Sequence, residues 1–256
     1  MQSYANEPEA SCLILISNNQ CIKALEVCRV DAEQGDPKAQ TALGMLLSGI
    51  THGDFRKNYK QSFYWVQQAA EQGHIKAQMA IAEMYMNGEV VPMNAKKAKK
   101  WYEKVATKGD LDGVNGLARL YRYGVGVRKN YETSFDLYEQ AALQGHTRSQ
   151  VGLGLSYRDA KGVKKNLVKA YAWLLIASEK IDDKAFKTIE KEFKDEYEDI
   201  DKTKPHCKYV LSYDEFGRRF AIGYAKKSLF DLKKKMSKKQ TNKAKDYAAH
   251  LRSTIK

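Results

Sequence analysis

Residues 58–73 read NYKQSFYWVQQAAEQG, residues 94–109 read NAKKAKKWYEKVATKG, and residues 130–145 read NYETSFDLYEQAALQG. Each string opens on an asparagine, carries a small residue four places on and closes on a glycine, and each starts 36 residues after the one before. A fourth asparagine, Asn166, keeps the step, and Trp65, Trp101, Leu137 and Trp173 repeat it. Residues locked to one period across the chain mean one structural unit copied several times.

More columns fall into register around these strings. Small residues recur at Ser62, Ala98, Ser134 and Ala170, and again at Ala69, Val105, Ala141 and Ala177. Turn glycines follow at Gly73, Gly109 and Gly145, with Gly35 displaced by a longer loop in the first copy. A second set opens each unit, at Ala39, Ala77, Gly113 and Ser149 and then at Leu43, Ile81, Leu117 and Leu153, with Tyr85, Tyr121 and Tyr157 behind the last three.

Each unit reads as two helices. The first follows a turn such as Gly35-Asp36-Pro37, where Asp36 can cap and Pro37 suits the first helical position. The second starts at the asparagine, a good N-cap, and runs to the next glycine, a good stop. Small residues let the helices approach closely and the aromatics fill the space between neighbouring pairs. One pair alone cannot bury its apolar face, so the pairs must stack.

This pattern resembles the Sel1-like repeat family, a relative of the tetratricopeptide solenoids. The resemblance is carried by Ala69-Ala70-Glu71-Gln72-Gly73, by Trp101-Tyr102-Glu103-Lys104, and by Gly124-Val125-Gly126-Val127 through Asn130. Ala170-Tyr171-Ala172-Trp173-Leu174 looks like the family's last repeat, and the likeness covers roughly residues 21–178. It implies an all-α, right-handed α-solenoid with a helical carboxyl-terminal cap, and a protein-binding scaffold with no enzymatic activity and no cofactor. The organisation expected is a leader remnant at 1–5, amino-terminal capping helices at 6–34, four repeats at 35–178, and a non-repeating helical insert with a basic cap at 179–256.

No stretch approaches the ~20 apolar residues needed to span a bilayer. Ser3-Tyr4-Ala5 puts small residues where a signal peptidase wants them, just before Asn6-Glu7-Pro8, although the charged and apolar parts of a leader are missing. The expectation is a truncated leader with a replacement Met1, and hence an exported, periplasmic bacterial protein; the competing reading is a chance triplet. Among the cysteines, Cys12, Cys21 and Cys28 cluster and Cys207 stands far downstream. Cys21 and Cys28 on one helix would lie roughly 10 Å apart, too far for a bridge. A hairpin turning near Asn18-Asn19 would instead bring Cys12 towards Cys28; ordinary buried thiols are the alternative. No metal-ligand spacing is present.

The net charge of +13 is uneven. Residues 202–256 hold 16 Lys/Arg against 4 Asp/Glu, while the rest of the chain is nearly neutral, and 182–201 carries 9 Asp/Glu against 4 Lys. The Lys226–Lys245 run reads as a solvated helix face, as a partner for the acidic segment, or as a surface for an acidic protein or anionic lipid. Nucleic acid is not an expected partner, because basicity alone is a weak signal for it. Ser237 can cap a last helix whose Ala244, Tyr247, Ala248, Leu251 and Ile255 share an apolar face. In the insert, Phe186, Ile189, Phe193 and Tyr197 suggest one helix and Tyr213 to Tyr224 another.

Catalytic signals are weak. His74 and His146 share the turn position of Asp36 and Asp110 and read as turn or capping residues. His206-Cys207 places a base beside a thiol with no orienting third group. Gly124-Val125-Gly126 lacks the rest of a phosphate loop.

Columns that recur serve packing, whereas columns that vary at exposed spacing are free to recognise something. On the first helix of each unit such a stripe comprises Thr41, Met45 and Ser48; Met79, Glu83 and Met86; Asn115, Arg119 and Arg122; and Val151, Leu155 and Arg158. Each triplet falls on one helix face, and kinship to tetratricopeptide stacks would place it on the concave side. Its change from methionine to arginine suggests a partner with an apolar region beside an acidic one; a secreted toxin effector is the partner that the resemblance implies. The alternative is that Met45, Met79 or Val151 complete the core. The resemblance further implies an immunity protein for a periplasm-acting effector, a lipase for example, with an envelope scaffold or adaptor as the alternative.

Overall fold

The computed structural model describes residues 12–18, 20–48, 58–179 and 213–255, with the side chains of 213–220 excepted. They form helices joined by turns and loops, with no strand among the described residues. The helices are α1 (Cys12–Ser17), α2 (Cys21–Glu33), α3 (Pro37–Leu47), α4 (Tyr59–Glu71), α5 (Ile75–Asn87), α6 (Ala95–Ala106), α7 (Leu111–Tyr123), α8 (Tyr131–Leu143), α9 (Thr147–Asp159), α10 (Leu167–Ser178), α11 (Tyr213–Lys233) and α12 (Lys238–Thr254). They fall into two compact units, one ending at Asn94 with α1–α5, the other from Ala95 with α6–α10, nearly all of α11, and α12.

Local chemistry sets the helix ends. Asp36 accepts from the backbone N–H of Lys38 and Ala39, with Pro37 at the first helical position, which satisfies donors a helix start leaves open. Asn58, Asn130 and Asn166 cap α4, α8 and α10 by accepting from the N–H three residues on. Asn130 and Asn166 act twice, because their own N–H donates to the carbonyls of Tyr121 and Tyr157 at 3.0 and 2.9 Å. That bond ties α8 to the end of α7 and α10 to the end of α9. Gly73, Gly109 and Gly145 sit at φ of +82° to +90°, where a side chain would be strained.

Within each unit consecutive helices pack against one another, and the small columns are sealed at the contacts. Ser62, Ala98, Ser134 and Ala170 are buried, as are Ala69, Val105, Ala141 and Ala177. The tryptophan column is not the main filler: Trp65 and Trp101 are half-buried, and only Trp173 is enclosed. The next position along, occupied by Val66, Tyr102, Tyr138 and Leu174, is sealed in every copy. The Tyr102 ring lies over Gly116 and the Tyr138 ring over Gly152, where an added Cβ would stand 2.7 Å from the ring of Tyr138. A second device is a buried glutamine. Gln40, Gln78 and Gln150 each donate across eight residues to the carbonyls of Ala32, Ala70 and Ala142, which also accept from the N–H of the turn glycines Gly35, Gly73 and Gly145.

One column invites a stability test. The hydroxyls of Ser62 and Ser134 are buried without a hydrogen-bond partner, while the same column holds alanine at Ala98 and Ala170. A buried hydroxyl with no partner carries a desolvation cost of roughly 1–3 kcal/mol. Ser62→Ala and Ser134→Ala should each raise stability in urea unfolding, and a loss of more than a few tenths of a kcal/mol would show that the hydroxyls bond in solution.

At the amino-terminal end, α1 and α2 form a hairpin joined by a Cys12–Cys28 disulfide with a Cα–Cα distance of 4.7 Å. Cys21 is disulfide-bonded as well; Cys207 lies outside the described residues. Leu15, Ile16, Ala24 and Leu43 pack around the bridge in the core of the first unit. At the other end α12 closes over α10. Ala244, Ala248 and Leu251 are buried there, with Tyr247 and Ile255 partly so. A reciprocal box of Ser237 and Gln240 starts α12, and Arg252 grips the Glu179 carboxylate with two donors, one at 2.9 Å. The helix expected around Phe186–Tyr197 and the acidic run 182–201 lie outside the described residues. No helix among the described residues is long and apolar enough to cross a membrane.

Candidate protein-binding surface

The first-helix stripe occupies a seam rather than an open face over much of its length. In the first unit, Thr41 donates to the Pro37 carbonyl at 2.6 Å and meets His74 Nδ1 at 2.7 Å. Met45 and Ser48 are buried, and the Ser48 hydroxyl turns back to the Met45 carbonyl. On α5, Met79, Glu83 and Met86 are half-buried.

In the second unit the seam is polar. Between α7 and α9, Asp112 accepts from His146 Nε2 at 2.7 Å and from Arg148 at 2.8 Å. Asn115 donates to Ser149 Oγ at 3.1 Å, and Arg122 to Ser156 Oγ at 3.1 Å. Three of these links, Asp112 to His146, Asn115 to Ser149 and Arg122 to Ser156, join residues 34 apart. Arg122 also lies 3.8 Å from Asp159, with its side chain only 12% exposed.

Met45, Ser48, Asn115 and Val151 are therefore corrected from exposed recognition residues to packing residues, and Arg122 becomes a strut between helices. Within the second unit the first helices α7 and α9 meet along this face, so a face pointing away from the second helices can still be consumed by its neighbour. Arg119 and Leu155 stay half-exposed on the same face. Arg158 is half-exposed and engaged: it grips Asp159 at 2.7 and 2.9 Å, reaches Ser228 at 3.4 Å, and hydrogen-bonds Tyr224. That bond with Arg158 holds the Asp159 carboxyl below the usual carboxylate range. The contacts bring α11 against the end of the α9 stripe.

Both turn histidines stand at backbone cap positions, yet neither side chain caps its helix; each reaches another group instead. His146 bonds Ser149 through Nδ1 and Asp112 through Nε2, which strings serine, histidine and aspartate together. Ser149 is fully buried and also receives Asn115, so no substrate reaches its hydroxyl. The chain serves to lock α7 to α9. His206 and Cys207 lie outside the described residues, as does His52. Gly124 ends α7 at φ +70° and Gly126 sits at φ +68°, so this loop's glycines serve backbone turns. No cluster of metal-ligating side chains occurs among the described residues.

His74 supplies a pH test. Burial first, then the nearby Lys76, pushes its pKa below the ordinary 6.5, with Asp36 opposing. The unfolded chain then binds more protons than the folded one as pH drops below that value. Stability is whole above 6.5 and is lost as pH falls through the folded value. Thermal unfolding at neutral and mildly acidic pH should show the wild type losing more than His74→Gln; equal losses would remove His74 from the account.

Comparison with known proteins follows the same periodicity. A family model described as Sel1 repeat matches residues 37–74, 75–110, 112–146 and 147–182. A protein of uropathogenic Escherichia coli, described as a protective antigen displaying an SLR fold, is 31% identical at a TM-score of 0.56, covering 66% of this chain and 36% of its own. The present chain thus spans little more than a third of that relative. A Sel1 repeat protein from Oxalobacter formigenes is 30% identical at a TM-score of 0.55, covering 68% of this chain and 71% of that one. No curated protein matches the chain.

Proposed function

This chain belongs to the Sel1 repeat family, and we propose that it is an exported, non-catalytic protein-binding repeat protein that acts as an immunity protein. Its partner would be a secreted effector working in the periplasm, of which a lipase is one class. Sel1 repeats are protein-interaction solenoids, which supports the binding role. The observation that carries export is the bridge between Cys12 and Cys28, together with an oxidised Cys21. Such bonds persist in oxidising compartments and are rare in the cytosol. A chain whose helices serve almost wholly to pack and to link repeats leaves its remaining surface for recognition.

The test is capture of partners by the chain exported to the periplasm of its native organism. One dominant, stoichiometric protein encoded beside this gene, whose toxicity rises when the gene is deleted, supports immunity. Several envelope proteins at low occupancy would sink that reading in favour of a scaffold. Charge reversal at Arg119 and Arg122 together should weaken that capture, and the stability of each variant must be measured beside it, since Arg122→Glu would also break the strut to Ser156 and Asp159.

A further inference from the structure

The second unit carries a second surface, on its loops. The α7–α8 loop closes on the start of α6 and the α9–α10 loop closes on the start of α8, because Gly126 meets Ala95 and Gly162 meets the Tyr131 backbone with no room for a Cβ. Both glycines also hold positive φ, +68° and +77°. The interlock recurs one repeat apart, so the loops are held in place by packing rather than left to their own preferences.

What the interlock presents is cationic. Lys161 lies 4.5 Å from the Tyr131 ring centroid and Lys129 lies 5.9 Å from it. Beside them opens a cleft of ≈ 760 Å³ lined by Tyr121, Arg128, Lys129, Tyr131, Glu132 and Gly162, among others. Lys164 and Lys165 stand one repeat on from Arg128 and Lys129, and all four are exposed. Among the described residues no ion pair neutralises these four or Lys161. Asp159, the nearby carboxylate that Lys161 influences, is already gripped by Arg158. Glu132 is the acidic residue on the cleft's rim.

We propose that this cleft and its two basic loops dock an acidic segment of a protein partner, with carboxylates on Arg128, Lys129 and Lys161 and an apolar side chain against Tyr121. The inference rests on the protein-binding reading and relocates the acidic contact from the first-helix face, where Arg122 and Arg158 are engaged within the molecule. Arginine's planar fork matches a carboxylate in two-pronged fashion. The cations on Tyr131 are held by the ring's negative face, so that ring positions charge rather than offering the open platform on which a nucleic-acid base would stack. Lys164 and Lys165 extend the charge by one repeat, which suits an extended segment over a single small anion.

The experiment uses the whole chain and a fluorescein-labelled peptide of Asp and Glu with one Phe, read by anisotropy at low and physiological salt. A Gln-for-Glu, Asn-for-Asp version and a single-stranded oligonucleotide serve as comparison probes. The acidic peptide should bind about tenfold tighter than its neutral version, and Arg128→Glu with Lys129→Glu should remove about that factor. Lys243→Glu with Lys245→Glu, the same charge change on α12, should leave binding within about twofold. Equal losses in the two variants would reduce the effect to net charge and overturn the site. Tighter binding of the oligonucleotide would replace the peptide with nucleic acid, and no peptide binding would also overturn the proposal. A captured periplasmic partner retained by the loop variant sinks this site but leaves the protein-binding reading standing; no partner for the wild type sinks the reading itself.

Discussion

Tyr138→Ala should cost the protein about 3–5 kcal/mol, the range for truncating a large buried ring. The ring is 4% exposed and lies against Gly152 of the next helix, so its loss leaves a cavity walled by a backbone that cannot follow it inward. Gly152→Leu on the wild type should also destabilise, by roughly 1–3 kcal/mol, because its Cβ would collide with the ring. Combined, the two changes should recover a large part of the loss, since a leucine can enter the space the tyrosine vacates. A double-mutant cycle in urea measures this; strict additivity would mean that ring and glycine do not share one packing site. Burial also lifts the Tyr138 phenol to about 12 from 10. The folded chain then holds its proton longer than the unfolded one, so stability falls as pH climbs from 10 towards 12, and Tyr138→Phe should flatten that fall.

This pairing marks the boundary between what the sequence discloses and what it hides. Helix ends were legible at Asp36, Asn58, Asn130 and Asn166, because capping and left-handed turns are local chemistry encoded in neighbouring residues. The terminal cap was legible in the Ser237–Gln240 box and the spacing of Ala244, Ala248 and Leu251. Partners across a seam are not local. Arg122 looks like a free cation until Ser156, 34 residues on, is placed beside it, and Asn115 looks variable until Ser149 meets it. A signal did exist: Asp112 and His146, Asn115 and Ser149, Arg122 and Ser156 all share that spacing, two short of the repeat. The packing tyrosines are hidden in a similar way. Tryptophan draws attention in a column, yet Tyr102 and Tyr138 fill the core, and the clue was the glycine that follows each of them by 14 residues. The loop cations stand in the sequence as Arg128-Lys129 and Lys164-Lys165, but only folding places Arg128 and Lys129 on a cleft with Tyr121 and Tyr131.

Removing the Cys12–Cys28 bridge should be the second large loss, about 3 kcal/mol for a loop of roughly this length by the chain-entropy account. The two half-cystines are 16 residues apart and sealed, at 2% and 0% exposure. The variant of choice is Cys12→Ala with Cys28→Ala, since serines would add the cost of burying hydroxyls there. A solenoid transmits stability between neighbours, so an end without its staple should fray first. Hydrogen exchange would then show faster exchange across α1 and α2, with α3 next and α9 unchanged. The same bond ties fold to location. Chain made in a reducing cytosol should lose at least as much stability as the alanine variant, since the bond at Cys21 is absent there too, and chain sent to the periplasm should match the oxidised form. Equal stability of the alanine variant and the oxidised protein would leave the bridge without a structural task and remove the strongest support for export.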